Sequence, residues 1–391
     1  MKILIATDTY KYQTSGAANL VIAQTDELRR LGNEVKVLAL SNKRESFRDG
    51  DDYYIRSFQS IFYPDVRMSF VHRDPLLNEL KEWKPDVLHI HSEGSAMRMG
   101  RSVIAASHTP IVMTSHTDYG QFVFGRFSTH FPFKLIAETW GRVAYRGASA
   151  VIAPSEKAIG FPHMKPSRNR ITVIPNGIKL ENYTKHPTSE QRKELFKKYG
   201  LNDNGKVLIA ISRLSKEKNL KELLKFFPSV LAAIPEAQFV IVGDGPSRKS
   251  LEAFTRKQGL TESVRFTGRI PPEEVYQYYD MGDVFVSAST FEVHSLSYLE
   301  AMANGLPLVC RDDACLKGVL ENGVEGFVFH NESEFKESII KILKDDKLKT
   351  AMSQRASRKA LGFSDHKLAE RLIELYRRVM DGTQQEMFFY Q

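Results

Sequence analysis

Short apolar runs rich in valine and isoleucine alternate along this chain with longer stretches whose apolar residues recur every three or four positions. The short runs read as strands buried on both faces and the longer stretches as crossover helices, so the pattern predicts parallel βαβ units. Two series are visible. The first places strands at 3–7, 35–40, 86–91, 110–115, 149–153 and 171–175; the second at 207–212, 238–243, 264–267, 283–288, 307–311 and 326–329. Between them, Pro175 to Gly205 opens on Pro-Asn-Gly and continues through Lys185, His186 and Pro187, which reads as a linker. The expected architecture is α/β. Two Rossmann-like domains, residues 1–175 and 176–365, face each other across a deep cleft. Residues 366–391 add a helix carrying Leu368, Leu372, Ile373, Leu375, Tyr376 and Val379, packed across the domains, and then a loose tail. Open parallel sheets bind ligands beyond the carboxyl ends of their strands, which makes the cleft the expected ligand site.

Composition narrows the class. With 391 residues, 42% hydrophobic and 26% charged, the chain fits two domains with large cores and not a disordered polymer. The two cysteines, Cys310 and Cys315, form neither a Cys-x-x-Cys pair nor a Cys/His cluster. That argues against a disulfide scaffold and a structural zinc site, and suits a reducing cytoplasm. The opening MKILIATD has four apolar residues in a row, too few for a signal-peptide core, and no later run approaches the roughly 18 that a spanning helix needs. The net charge of +8 is concentrated: residues 101–180 hold ten basic against three acidic side chains. Such a surplus attracts an anionic surface or substrate, although an ordinary basic face has the same composition.

The candidate chemistry gathers at strand ends of the second series. In Ser289-Thr-Phe-Glu292-Val-His-Ser-Leu-Ser-Tyr-Leu-Glu300, Glu292 closes a loop after a strand and Glu300 follows eight residues later. That is about two helical turns, so both carboxylates fit one side of a helix start. Amides of His294, Ser295, Leu296 and Ser297 would face an anion such as a diphosphate, and carboxylates suit sugar and ribose hydroxyls; solvated helix faces produce the same spacing. Ser212-Arg213-Leu-Ser-Lys216-Glu-Lys218-Asn219 follows the first strand of this series, where Arg213 and Lys218 suit phosphate oxygens. Val242-Gly243-Asp244-Gly245-Pro246 and Phe266-Thr-Gly268-Arg269-Ile270 follow the next two strands.

Together these segments, in this order, resemble the donor-binding domain of the retaining, GT-B-fold glycosyltransferases of family four. The likeness continues through Asp8-Thr-Tyr10 with Gly16, Lys84-Pro-Asp86-Val-Leu-His89-Ile-His91, Thr114-Ser-His116-Thr117-Asp118-Tyr119, Ala153-Pro154-Ser155-Glu156 and Ile174-Pro175-Asn176-Gly177-Ile178. It covers essentially the full chain. Within the family, Ser212 to Asn219, Tyr278 to Thr290 and Arg311 to Val319 are most similar to bacterial diacylglycerol glucosyltransferases. The resemblance implies a metal-independent transferase without cofactor, moving a hexose, glucose first, from a UDP-sugar to a membrane lipid at the cytoplasmic face. A soluble or polysaccharide-linked acceptor, and a catalytically silent nucleotide-sugar-binding subunit, are the alternatives. Expected partners are the UDP-sugar, a lipid acceptor and an anionic membrane surface, with no nucleic acid.

By the same resemblance, Arg213 and Lys218 bind the diphosphate, Glu300 the ribose hydroxyls and Glu292 the donor sugar. Arg269 and Ile270 read the base, Gly16 lets the backbone approach the donor phosphate, and His116 reaches the sugar, with Asp118 a possible helper or merely a cap for the next turn. One departure stands out. Where the family has Thr or Phe followed by Gly after the first glutamate, this chain has Val293-His294-Ser295. Ser295 therefore bears on sugar identity and on turnover, and His294 can supply a replacement donor.

Other motifs read more plainly. His89 and His91 share a strand face but lack a third metal ligand nearby in sequence. Asp49-Gly-Asp51, similar to the metal-binding Asp-x-Asp of another glycosyltransferase class, reads as a turn. Gly243-Asp-Gly245 lacks the third glycine of a dinucleotide fingerprint, and there is no GxxxxGK[ST] loop. Arg126, His130, Lys134, Glu138, Arg142 and Arg146 recur every four residues beside Phe127, Phe131, Leu135, Ile136, Trp140 and Val143. From Pro132 this predicts a helix with one greasy and one basic face, which can lie in an anionic membrane interface or pack its apolar side into the domain.

Overall fold

The computed structural model describes residues 1–12, 16–60, 67–118, 132–203 and 205–382. The chain forms two compact units: Met1–Gly177 with Asp365–Gln391, and Ile178–Ser364. All twelve expected strands are present, their ends shifted by no more than two residues.

In the main sheet of the first unit the strands are β1 (Lys2–Ala6), β2 (Glu34–Leu40), β3 (Phe47–Asp49), β4 (Asp52–Ile55), β5 (Val87–Ile90), β6 (Ile111–Thr114), β7 (Ala150–Ala153) and β8 (Ile171–Val173). They form one sheet in the order β8-β7-β6-β5-β1-β2-β4-β3. Ile3 pairs with Val35 on one side and Val87 on the other, both in parallel, so β1 is central. Ile3, Leu4, Ile5, Val87, Leu88 and Val112 have no exposure, as strands covered on both faces require. Helices used below are α1 (Gly16–Arg30), α2 (Ser95–Val103) and α3 (Phe133–Ala144). The edge strand β3 and its neighbour β4 were not expected. They pair antiparallel about Gly50, whose φ of +60° makes Asp49-Gly-Asp51 their turn. The neighbouring Asp52 carboxylate is buried and held by Lys11 at 2.5 Å and Arg29 at 2.9 Å.

In the second unit the strands are β9 (Lys206–Ile211), β10 (Ala237–Val242), β11 (Val264–Gly268), β12 (Val284–Ser287), β13 (Leu308–Arg311) and β14 (Gly326–Phe329). Their order is β11-β10-β9-β12-β13-β14, and every pair is parallel. The helices that matter are α4 (Leu220–Leu231) and α5 (Leu296–Ala303). The expected linker is instead largely folded. A short turn at Leu180–Asn182 precedes a helix, Ser189–Tyr199, opened by a Thr188/Gln191 capping box, and Leu195 and Phe196 enter the core. The last helix, α6 (Asp365–Met380), packs on α1 of the first unit, where His366 meets Glu27 at 2.6 Å.

Candidate active site

The second sheet changes direction between β9 and β12: the chain builds β10 and β11 on one side of β9, then returns to lay β12 on the other. Loops leaving such neighbouring strands diverge and leave room for a ligand above the sheet. Here those loops are Ser212–Asn219 and Ala288–Ser295, leading into α4 and α5. They are joined by an ion pair, Lys218 Nζ to Glu292 Oε1 at 2.5 Å, with the two side chains 24% and 13% exposed. A small recess beneath it is lined by Ser212, Lys218, Ser287, Glu292 and Ser297. Burial alone would raise the Glu292 carboxyl, but the Lys218 ammonium, helped by the neighbouring Ser289 and Ser295 hydroxyls, holds it below the usual value. The site therefore presents a carboxylate and an ammonium side by side beside two helix N-termini. Arg213 is exposed on the same loop.

Backbone contacts between strand-end loops hold this geometry. Ser212 N–H donates to Val242 C=O at 3.1 Å, Leu214 N–H to Asp244 C=O at 2.9 Å, and Gly243 N–H to Gly268 C=O at 3.0 Å. A Cβ on Gly243 would lie 2.0 Å from the Ser212 carbonyl oxygen, and one on Gly245 2.5 Å from that of Leu214. The Gly-Asp-Gly segment is thus the seat of the Arg213–Lys218 loop. Arg269 is exposed just beyond β11, and Ile270 packs against the core.

Glu300 lies within α5, and both of its oxygens are engaged: Tyr183 Oη donates to Oε1 at 2.8 Å and Tyr279 Oη to Oε2 at 2.7 Å. Burial raises its carboxyl and the two phenols partly counter that. Ser295 precedes α5, with its hydroxyl 3.0 Å from that of Ser297. The His294 ring is 4% exposed and packs against Phe363, so its side chain is turned into the interior. Leu296 packs against the core.

The first sheet has its own change of direction between β1 and β5, and charged and aromatic groups gather there. Asp8 accepts from the Ala96 N–H at the start of α2 at 2.7 Å, and burial pushes its carboxyl up to about 6 against that bond. Nearby, three imidazoles form a ladder. His89 lies between Tyr376 Oη (2.6 Å) and Thr114 Oγ1 (2.7 Å), the Gln24 amide bridges His89 and His91 at 3.3 and 3.2 Å, and His91 Nδ1 meets His116 Nε2 at 2.8 Å. Desolvation drives all three down, His89 to about 3 and His116 to about 4, so they are neutral at pH 7. Among the described residues, no group of three or more His, Cys, Asp or Glu side chains is arranged to hold a metal. Asp118 is buried, 3.9 Å from His163 Nδ1, whose Nε2 meets Ser115 Oγ at 3.0 Å. Gly16 is the exposed first residue of α1.

Sequence reasoning assigned no role to Asp8, His163, Tyr183 or Tyr279. Asp8 lay inside a quoted motif, whereas Tyr183 lay in the supposed linker.

Helix α3 spans Phe133–Ala144, so Arg146 falls just beyond it; Arg126 and the Lys134 side chain lie outside the described residues. Its inner face is small: a Cβ on Gly141 would lie 2.0 Å from the His163 carbonyl oxygen. Its outer face carries Leu135, Ile136 and Val143, 50%, 49% and 70% exposed, beside exposed Arg142 and Arg146. Trp140 is half-buried, its ring T-shaped against that of His163 with centroids 6.2 Å apart.

Two sequence profiles match the chain: one described as Glycosyltransferase Family 4 over residues 14–182, and one as Glycosyl transferases group 1 over residues 191–359. The chain is 27% identical to an alpha-monoglucosyldiacylglycerol synthase of Acholeplasma laidlawii, covering 99% of each chain. It is 29% identical to the Streptococcus pneumoniae enzyme of the same name, over 88% of this chain and 78% of that one. Among solved structures it is similar to Anabaena HepE in complex with UDP, with a TM-score of 0.73 at 20% identity over 96% and 100% of the two chains. That last likeness concerns the fold.

Proposed function

The chain belongs to the family-four glycosyltransferases of GT-B fold, and from that premise we propose that it moves glucose from UDP-glucose to the free hydroxyl of a diacylglycerol, with retention of anomeric configuration. It is a nucleotide-sugar-dependent hexosyltransferase acting on a lipid acceptor. The observation that carries the acceptor is the near full-length match to proteins named as synthases of monoglucosyldiacylglycerol.

Arg213, Lys218 and the amides leading into α4 and α5 take the diphosphate. As the bond between the sugar C1 and the phosphate oxygen breaks, negative charge grows on the phosphate and these donors stabilise it. The acceptor oxygen bonds to C1 on the face the phosphate leaves, and its proton passes to the departing phosphate oxygen, so no separate base is required. Glu292 accepts from hexose hydroxyls, with Lys218 fixing its orientation, and Glu300 accepts from the ribose. Arg269 and Ile270 lie at the base, Gly16 clears space for the donor phosphate, and His116 contacts the hexose, with Asp118 beside it. Ser295, in place of the family's usual glycine, bears on which hexose is preferred, whereas the inward-turned His294 side chain does not supply the replacement donor expected of it.

No helix among the described residues is long and apolar enough to cross a membrane. Access to a lipid acceptor then depends on a surface that can enter the interface. Leu135, Ile136 and Val143, flanked by Arg142 and Arg146, supply aliphatic side chains and positive charge together, which favours peripheral attachment to an anionic, cytoplasmic leaflet.

The test offers UDP-glucose, UDP-galactose and UDP-N-acetylglucosamine with dioleoylglycerol in anionic mixed micelles, and follows the glycolipid by mass. Glucosyl-diacylglycerol as the main product supports the reading. Transfer to a water-soluble acceptor alone overturns the lipid acceptor, and neither transfer nor hydrolysis overturns the enzyme.

A further inference from the structure

Glu300 differs from an ordinary helix carboxylate in how completely it is held. A carboxylate has about four lone-pair sites, two on each oxygen. One on Oε1 is taken by Tyr183 and one on Oε2 by Tyr279. Neither phenol can swing away easily. The rings meet edge-on with centroids 6.0 Å apart at 79°, the Tyr183 carbonyl accepts from Asn304 Nδ2 at 3.0 Å, and Tyr279 is fully buried. Asn304 itself caps the end of α5, so the helix that carries Glu300 also anchors one of the tyrosines. Burial raises both phenols well above their ordinary value, which keeps them protonated as donors. The carboxylate plane is therefore fixed by one donor per oxygen. By that count one acceptor site remains on each oxygen, the number that two hydroxyls on adjacent carbons require.

We propose that Tyr183 and Tyr279 are positioning residues that make Glu300 a reader of an intact vicinal diol, and thereby set the preference of this site for a ribonucleotide over a deoxyribonucleotide. The inference rests on the glycosyltransferase reading, in which Glu300 meets the ribose. A site built to accept two hydroxyls rejects a ligand lacking either, because one carboxylate oxygen is then left desolvated without a partner. Loss of one phenol lets the carboxylate rotate and blunts that rejection, while leaving the diphosphate contacts intact.

The experiment measures, by titration calorimetry at pH 7.5, the affinities of UDP, 2′-deoxy-UDP, 3′-deoxy-UDP and inorganic pyrophosphate for the full chain and for Y183F, Y279F, the double variant and E300A. The parent should prefer UDP over either deoxy ligand by about tenfold or more, and E300A should bring that ratio close to one. Each single Phe variant should lower the ratio by roughly two- to tenfold, the worth of one hydrogen bond, with pyrophosphate affinity unchanged. The half-buried Tyr183 gives the milder substitution, so its variant stands in should Y279F not fold. Phe variants that keep the parental ratio while E300A loses it overturn the tyrosine proposal and leave the ribose assignment standing. An E300A variant that keeps the ratio overturns the assignment of Glu300 itself.

Discussion

Replacing Lys218 with Ala probes the centre of the proposed mechanism. The substitution removes the ammonium 2.5 Å from a carboxylate that is only 13% exposed. Two costs follow, and they separate by assay. In catalysis, loss of one donor from the developing phosphate charge should cost about 3–4 kcal/mol, a fall in kcat of roughly 100- to 1000-fold. In stability, Glu292 is left buried without its cation, which should cost on the order of 1–3 kcal/mol. The pH dependence carries the sign. With Lys218 present the folded carboxyl titrates below 4.5, so its contribution is present above that pH and is lost as pH falls through the folded value. Without Lys218, burial dominates and the carboxyl rises above 4.5, so the variant's deficit is largest at neutral pH and shrinks on acidification. Initial rates with UDP-glucose and melting curves from pH 7.5 to 4 measure both. Lys218→Met with Glu292→Gln should restore much of the stability by removing the orphan charge, yet recover none of the rate. Activity of Lys218→Ala within about threefold of the parent, far short of the loss expected from one missing donor, would refute the assignment.

Other expectations are equally direct. Arg142→Glu with Arg146→Glu should weaken sedimentation with anionic vesicles by tenfold or more, at about 1 kcal/mol per arginine, without changing UDP affinity; equal loss of both would indicate a folding role. Gly243→Ala forces Cβ into the Ser212 carbonyl and should lower UDP affinity together with melting temperature, and an unaffected protein would show that this loop is not seated as described. The histidine ladder predicts acid sensitivity. His89 and His116 have folded values near 3 and 4 against 6.5 unfolded, so the stability they contribute is present above 6.5 and is lost as pH falls toward those values, by up to about 1.4 kcal/mol per pH unit for each histidine. Chemical denaturation at pH 7 and 5 should show a smaller loss in His89→Gln than in the parent, and an equal loss would sink the argument.

What could be read from the sequence, and what could not, follows from the range of the interactions. The strands were legible because burial on both faces leaves an uninterrupted apolar run, as in Val207–Ile211. β3 and β4 were not, because Asp49, Asp51 and Asp52 gave that stretch a polar look, and it is the tertiary ladder to β2, with Asp52 neutralised by Lys11 and Arg29, that holds β4 in the sheet. The segment after Pro175 read as a linker since its outward residues are charged, although Thr188 and Gln191 do spell a capping box. Arg213, Lys218, Glu292 and Glu300 were singled out through local motif order. The ion pair between two of them spans 74 positions, and that between Tyr183 and Glu300 is a hydrogen bond across 117, which no local pattern encodes. Helix α3 was expected to separate a greasy from a basic face, but Leu135, Ile136 and Val143 are exposed beside Arg142 while Glu138 is buried, because Gly141 lies against the His163 backbone and sets which side turns inward.

The return of the last helix to the first unit has a consequence for biosynthesis. Residues 178–364 are contiguous and leave the ribosome as a complete folding unit, whereas the first unit lacks α6 until residues 365–380 have been added. At about 5–20 residues per second, His89 waits on the order of fifteen to sixty seconds for Tyr376 to arrive, and the partner surface of α1 somewhat longer. A nascent chain stalled before residue 365 would therefore carry a finished second unit and an unfinished first one, which leaves α1 and the histidine ladder among the last parts of these two units to be protected from proteolysis.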